Sequence, residues 1–510
     1  MDNYTRQLQL EDEYSTTSIA AGQQAILDAY ATGRATDIGA GQYLLAKAYA
    51  VALEDYDKNT PAIRSKYKTL LKSIDSSVIV MSALRVVLDG CTDHVPRTLQ
   101  QVVVALGRVY ESEAMLVALR KVSAEYTQRT VDYLDSKATK SVSHRYRTFL
   151  SASKALQLDW QAWTPTERIG AAKFVLTRIY ESTGLFKWVI GKDGIYTLHP
   201  SESLAAHFED MVASAKALTK YPPMLVPPKN WEGFNDGGYL TEWYSIHSPM
   251  CTLPYMKSAD RKWVITNLTD ERTASLRDAM NKAQQVPYRI NKEVLGVLRK
   301  AVAMRVGIMG LPSQQPLPKP DFPFPKSWLK SDATPQELDR FKLWKQQVSN
   351  WYTVEAKRKG RTTGILSKLQ EMVRYQDEEA LYFPTFIDWR GRLYFRSVLN
   401  PQSNDSVKGV LEFANGKALG TDGLFWLKVH VANSCGYDKH SPDIKAQWCD
   451  DNWDMIQDFI NNPLEVDAPE PETAFTLLAA GLALQEALEL DDPSTYICHV
   501  PVAMDATCSG

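Results

Sequence analysis

No CxxC pair and no Cys/His cluster occurs in the 510 residues, and the six cysteines are scattered at 91, 251, 435, 449, 498 and 508. That spacing argues against a zinc site and against a disulfide framework, and it suits a reducing compartment. Long apolar runs are missing as well. The nearest, Ser77 to Leu88, is interrupted by Ser82 and Arg85 and is too short to span a bilayer. The polar, acidic start MDNYTRQLQLEDEY has the pattern of neither a signal peptide nor an Arg-rich transit peptide. No GxxxxGK[ST] phosphate loop, dinucleotide fingerprint, HExxH or GxSxG is present, so the usual nucleotide, zincin and serine-hydrolase signatures are excluded. The net charge of -2 shows no global excess of base.

That near-neutral total conceals an asymmetry. Asp450 to Asp492 carries twelve acidic residues and no Lys or Arg, whereas Trp351 to Arg374 carries six bases against two Glu. A basic groove for a polyanion therefore remains open. At 510 residues, two to four domains are expected, with 44% hydrophobic and 23% charged residues typical of a globular chain.

The first 220 residues or so read as mostly helix. Leu99, Val102, Val103, Leu106 and Tyr110 form one apolar face after Pro96. KSVSHRYR (140–147) is either solvated surface or a phosphate-facing patch. KWVIGKDGIYTL (187–198) carries β-rich arms about Gly-Lys-Asp-Gly, a hairpin signal, its tip either functional or merely surface. Residues 221–240 hold four prolines and three glycines, which excludes regular helix and predicts an ordered connector anchored by Trp231, Phe234 and Tyr239. Gln284 to Lys300 reads as helix. Leu311 to Pro325, with six prolines, reads as a boundary or long loop. Thr334 to Tyr382 reads as two long helices, Pro335 opening the first. Lys357, Arg358 and Arg361 in the second form either a solvated face or part of a polyanion groove.

LYF (393–395) and VLEF (410–413) read as strands, and Asp388-Trp389-Arg390-Gly391-Arg392 as a tight charged turn. Two guanidiniums beside Trp389, Tyr394 and Phe395 combine phosphate forks with stacking surfaces. The alternative is that Asp388 pairs with Arg390 or Arg392 and holds the turn. Asn404, Asp405 and Lys408 add polar groups. Asp422–Ala432 reads as an amphipathic helix, Glu472–Leu490 as an apolar one, and His430 as a core histidine. In VPVAMDATCSG (500–510), alternating apolar residues deliver Asp505 to a small-residue turn, where it either caps a helix or holds a metal. A basic, aromatic groove upstream favours Mg²⁺ and a phosphate substrate.

DWRGRLYFRSVLNPQSNDSVK (388–408), LKVHVAN (427–433) and PVAMDATCSG (501–510), in this order, resemble the single-subunit, bacteriophage-type DNA-directed RNA polymerases. Weaker similarity extends to YPPMLVPPKNW with GGY, YRINKEVLGVL (288–298), EAKRKGR (355–361) and STGLFKW (182–188). The resemblance implies an α+β, predominantly α-helical chain. It would comprise a promoter-binding N-terminal domain at 1–290, thumb-like helices at 291–378 and the start of a right-hand palm at 379–510. Asp505 would be the first metal-binding aspartate, with the Ala506 carbonyl as a further Mg²⁺ ligand. Arg390, Arg392, Tyr394 and Lys408 would line template and initiating nucleotides, and 187–198 would be the hairpin that helps open the promoter.

The partners implied are duplex promoter DNA, the template strand, NTPs and nascent RNA, in the cytoplasm of an infected bacterium. The departures from the family pattern are Ala506 and Thr507, where Gly and Ser are common, and a short basic region with only Arg64, Lys66 and Lys68. No His-Asp dipeptide occurs, so the second metal aspartate and the fingers are not in this sequence. A fragment, one half of a split polymerase, or a non-catalytic DNA-binding module would each fit that pattern.

Overall fold

The computed structural model describes residues 2–93, 95–136, 141–254, 256–268, 271–325, 327–328 and 333–502. It is predominantly helical, with small sheets of two or three strands. The chain forms two compact units, residues 18–218 and residues 1–17 with 219–510. These units do not coincide with the three functional regions expected from the resemblance, because 219–290 shares a unit with 291–510.

In the unit 18–218, the periodicity of Leu99 to Tyr110 becomes a helix at Leu99–Val122, opened by a Thr98/Gln101 capping box. It crosses the helix Pro165–Thr183 at small residues. A Cβ on Gly107 would lie 2.6 Å from the Arg168 carbonyl oxygen. Val103, Leu106, Tyr110, Ala171, Val175 and Ile179 are fully enclosed there. The predicted hairpin is present as strands Phe186–Ile190 and Tyr196–Pro200. Its base enters the core through Phe186 and Leu198, while Val189, Ile190, Ile195 and Tyr196 near its tip are exposed. The basic patch of 141–147 is partly engaged by protein: Arg145 pairs with Glu113 at 3.0 Å, and Tyr146 donates to Glu111. Lys140 lies outside the described residues.

Glu111 is fully buried. Its carboxylate takes the Arg168 guanidinium at 2.6 Å and the Trp163 amide at 2.9 Å.

The other unit is built around the helix Ala474–Leu488. Phe475, Leu477, Leu478, Ala480, Leu484 and Ala487 are all buried, on several faces. Such a helix is stable only inside a core. Against the same core lie Val294, Leu295 and Leu298 of the helix Lys292–Met304, Val407 and Val410, and Leu427 and Val431 of the helix Gly420–Ser434. The expected helix from Gln284 begins only at Lys292. Tyr288–Ile290 is instead a strand, paired antiparallel with Leu411–Phe413. Asn291 then caps the helix through the amides of Glu293 and Val294. The expected pair of helices after Thr334 is one helix, Pro335–Tyr375, with a Thr334/Glu337 capping box. Glu355, where the second helix was expected to open, lies inside it.

The connector 221–240 is ordered as anticipated, with Trp231, Phe234 and Tyr239 buried. Tyr239 donates to the Pro222 carbonyl at 2.7 Å, and Trp231 Nε1 to that of Thr385 at 3.1 Å. It is also held by the N-terminal helix. Buried Gln7 accepts from the Leu225 amide, and buried Glu11 accepts from the amides of Leu240 and Thr241. Arg6 and Glu13 of the same helix pair with Glu378 and Arg374.

His430 is a core residue, 3% exposed, but its Nε2 finds no hydrogen-bond partner among the described residues. Burial pushes its pKa down to about 4.

These buried groups make two measurable differences. Glu111→Ala leaves a guanidinium and an amide without their acceptor and should lower unfolding free energy by about 3 kcal/mol, read by urea titration. An unchanged midpoint would count against the buried pair. For His430, the unfolded chain takes up a proton near the ordinary histidine pKa of about 6.5, whereas the folded chain resists until about pH 4. The neutral ring's stability is therefore whole above about pH 6.5 and drains as pH falls towards 4, by on the order of 2–3 kcal/mol. His430→Leu should flatten that part of a Tm-versus-pH curve; parallel curves would refute the assignment.

Candidate nucleic-acid interface

The charged turn is built on a three-stranded sheet. Thr385–Asp388 pairs in parallel with Cys251–Thr252 and antiparallel with Leu393–Phe395. Asp388 organises the turn. Its carboxylate accepts from the backbone amides of Arg390 (2.9 Å) and Arg392 (3.0 Å), and from Nε and Nη2 of Arg390 at 2.9 and 2.7 Å. Burial alone would raise the carboxyl pKa, but these hydrogen bonds outweigh it and hold Asp388 below the usual range. Gly391 sits at φ +85 with nothing near its missing Cβ, so backbone conformation rather than space demands glycine there.

The two arginines are therefore unequal. Arg390 is the one bound to Asp388, with its guanidinium also 5.7 Å from the Trp389 ring centroid. Arg392 contributes only its backbone to the turn: its amide donates to the Asp388 carboxylate, and its carbonyl accepts from the Asp388 amide at 3.0 Å. Its exposed guanidinium has no protein partner among the described residues. Trp389 beside it is 64% exposed. Tyr394 lies opposite Phe386 across the strands, ring centroids 5.7 Å apart. On the same face Arg396 sits over Phe386 at 4.2 Å and over Tyr221 at 5.3 Å. Arg396 was not anticipated from the sequence, because a cation wrapped in aromatics signals no motif.

The loop after the sheet is folded back onto it. Gln402 accepts from the Phe395 amide and donates to the Leu393 carbonyl, at 3.1 and 3.0 Å. Asp405 then caps the core helix, accepting from the amides of Phe475 (2.8 Å) and Thr476 (3.0 Å) and from the Thr476 hydroxyl (2.6 Å). Burial raises its pKa, and these bonds pull against it. Lys408 is exposed on the short helix Asp405–Val410.

On the long helix, Lys357 and Arg361 are exposed, and with Lys368 they fall within about 60° of one another at 3.6 residues per turn. Arg358 points elsewhere. It is locked bidentately to Glu355 at 2.8 and 2.6 Å and donates to the Ser313 carbonyl at 2.7 Å, so it fastens the proline-rich segment to the helix. Arg358 is thus engaged by protein where Lys357 and Arg361 are exposed. Lys368, which carries no sequence signal of its own, donates to Ser403 Oγ (2.8 Å) and Asn404 Oδ1 (2.6 Å), linking the helix to the loop.

Asp505 and Ala506 lie outside the described residues. The strand expected over Val500–Met504 lies partly outside the described residues, and 500–502 are not laddered; just upstream, Ile497–Cys498 pairs antiparallel with Lys417–Ala418. His499 continues the contact by accepting from the Phe413 amide at 2.9 Å. Among the described residues no group of three or more His, Cys, Asp or Glu is placed to hold a metal, and no helix is long and apolar enough to cross a membrane.

Residues 417–510 match the family described as DNA-dependent RNA polymerase, and residues 175–246 match DNA-directed RNA polymerase N-terminal. A DNA-directed RNA polymerase of Pseudomonas phage phiKMV is 31% identical over 459 residues, covering 88% of this chain and 56% of that one. T7 RNA polymerase of Escherichia phage T7 is 28% identical over 486 residues, covering 90% and 52%. The mitochondrial DNA-directed RNA polymerase 1 of Arabidopsis thaliana is 29% identical over 298 residues, covering 57% and 29%. Over most of its length the chain is similar to single-subunit, phage-type DNA-directed RNA polymerases, a family of nucleotidyltransferases. It spans about half the length of the phage relatives, across their N-terminal part.

Proposed function

We propose that this chain is the promoter- and template-engaging portion of a template-directed RNA polymerase acting on a phage promoter inside an infected bacterium. The observation that carries the reading is the Asp388 turn. One carboxylate fixes the backbone and Arg390, and thereby presents the unpaired Arg392 guanidinium next to an exposed Trp389. That is a phosphate fork beside a stacking surface, the chemistry that holds a single nucleic-acid strand. Tyr394 and Lys408 extend the surface, and Lys357 and Arg361 add charge along the long helix. The hairpin of Phe186–Pro200, with apolar residues exposed near its tip, suits insertion between promoter base pairs. Regions 1–290, 291–378 and 379–510 keep their roles as promoter-binding domain, thumb and start of palm within this reading.

RNA synthesis from NTPs would require Mg²⁺. The Asp505 carboxylate and Ala506 carbonyl are the groups of this chain that would hold it, with a second carboxylate supplied by polypeptide outside these 510 residues, either continuous with them or separately encoded. When bound, such ions lower the pKa of the attacking hydroxyl and stabilise the leaving pyrophosphate. This chain's own contribution is positioning: Arg392 and Lys408 neutralise template phosphates, and Trp389 and Tyr394 limit where bases lie.

Arg392→Ala should weaken single-stranded template binding at all sequences and reduce the slope of log affinity against log salt by about one, with Tm unchanged. A large Tm loss with binding intact would make Arg392 structural instead. In a preparation complemented with the remainder of the polymerase, Asp505→Asn should abolish nucleotide incorporation while promoter binding persists; retained incorporation would remove Asp505 from the chemistry. Salt-sensitive promoter binding without incorporation under any complementation would favour a non-catalytic DNA-binding module.

A further inference from the structure

Lys368 occupies an unusual position for a lysine. It is half-buried, and burial lowers its pKa. Among the described residues its ammonium is bonded only to neutral oxygens, those of Ser403 and Asn404. A partly desolvated cation held by two neutral dipoles has electrostatic capacity left for an anion. It also lines a cleft of about 460 Å³ with Arg361, Gly364, Asn404 and Ser406. Arg361 stands two turns before Lys368 on the same stripe, exposed and with no protein partner among the described residues. Gly364 lies between them in sequence and faces open space, and Ile365 beside it lines the same cleft.

Two carboxylates also face this cleft. Asp405 is already occupied by two helix amides and a hydroxyl. Glu472 is exposed, where solvent screens it. Neither is bonded to Lys368 or Arg361. The lining thus offers two cations without a carboxylate partner among the described residues and two neutral polar groups, around a cleft with room for a tetrahedral anion.

We propose that this cleft is a phosphate subsite, with Lys368 and Arg361 as its cationic walls, taking a phosphodiester of a bound nucleic-acid strand. Lys368 exchanges one of its bonds to Ser403 or Asn404 for the phosphate oxygen. Because Asn404 belongs to the loop that Gln402 ties to the Asp388 turn's sheet, an occupied cleft would hold the strand in register with that turn. The assignment rests on the reading that this chain engages nucleic acid, and it adds a site that the charged turn does not contain.

The test combines a salt series with a footprint. Binding of a labelled single-stranded oligonucleotide is measured by anisotropy for the unaltered chain, Lys368→Gln and Lys368→Arg, and acetylation of Lys368 in the unaltered chain is followed by mass spectrometry with and without ligand. The expected result is a weaker Lys368→Gln complex whose salt slope falls by about one, recovery in Lys368→Arg, and shielding of Lys368 by the oligonucleotide. Unchanged affinity and slope in Lys368→Gln, or no shielding of Lys368 by any phosphate ligand, overturns the subsite, and the footprint decides even if the Gln variant is unstable. Shielding by nucleoside triphosphate but not by oligonucleotide keeps the phosphate chemistry and overturns the strand as its source. If Arg392→Ala weakens binding while Lys368→Gln does not, the subsite fails and the broader function stands; if the unaltered chain binds no nucleic acid, both fail.

Discussion

The helix Ala474–Leu488 is so apolar that it has to be buried, and a buried helix must have its first amides satisfied from elsewhere. Asp405 meets that need from some seventy residues upstream in sequence, through the Phe475 and Thr476 amides. Much of this unit depends on that one bond set. It fixes the short helix Asp405–Val410, seats Gly409 against the Phe475 backbone where no Cβ would fit, and leads Leu411–Phe413 into its pairing with Tyr288–Ile290. It also holds the preceding loop, and through Gln402 that loop is fastened to the sheet bearing the Asp388 turn. A core requirement for hydrogen-bond donors and acceptors is thus what positions an exposed basic surface.

Asp388 and Asp405 are both carboxylates that serve backbone amides, and both release nearby cations from that duty. At Asp388, one arginine is captured and its neighbour two residues on is left outward. At Asp405, three donors engage the carboxylate, while Lys368, which lines the same cleft, bonds to the neutral oxygens of Ser403 and Asn404. Charge that looks balanced along the sequence is unbalanced in space, because acids are consumed internally while selected bases are not.

How much of this was legible in the sequence depended on how local each cause is. The Leu99–Tyr110 stripe, the Thr334-Pro335 opening with Glu337, the Gly-Lys-Asp-Gly hairpin and the proline-rich connector are short-range patterns, and each reappears in the fold. The strand at Tyr288–Ile290 was invisible because its partner, Leu411–Phe413, lies far along the chain. The long helix was expected as two, the second opening at Glu355, but Pro335–Tyr375 runs through that point without interruption. Within the candidate site, the motif DWRGR was readable as a charged turn, but which arginine was spent on Asp388 was not. Arg358 looked like its basic neighbours until Glu355 and the Ser313 carbonyl claimed it. Lys368 and Arg396 carry no motif at all, and their character comes only from burial.

The hairpin Phe186–Pro200 divides its residues between two kinds of constraint. Phe186 and Leu198 belong to the helical core, so their identities are set by volume and shape. Val189, Ile190, Ile195 and Tyr196 lie beyond the last core contact, where folding asks nothing of them and water disfavours them. The tip can therefore change sequence without disturbing the scaffold that carries it.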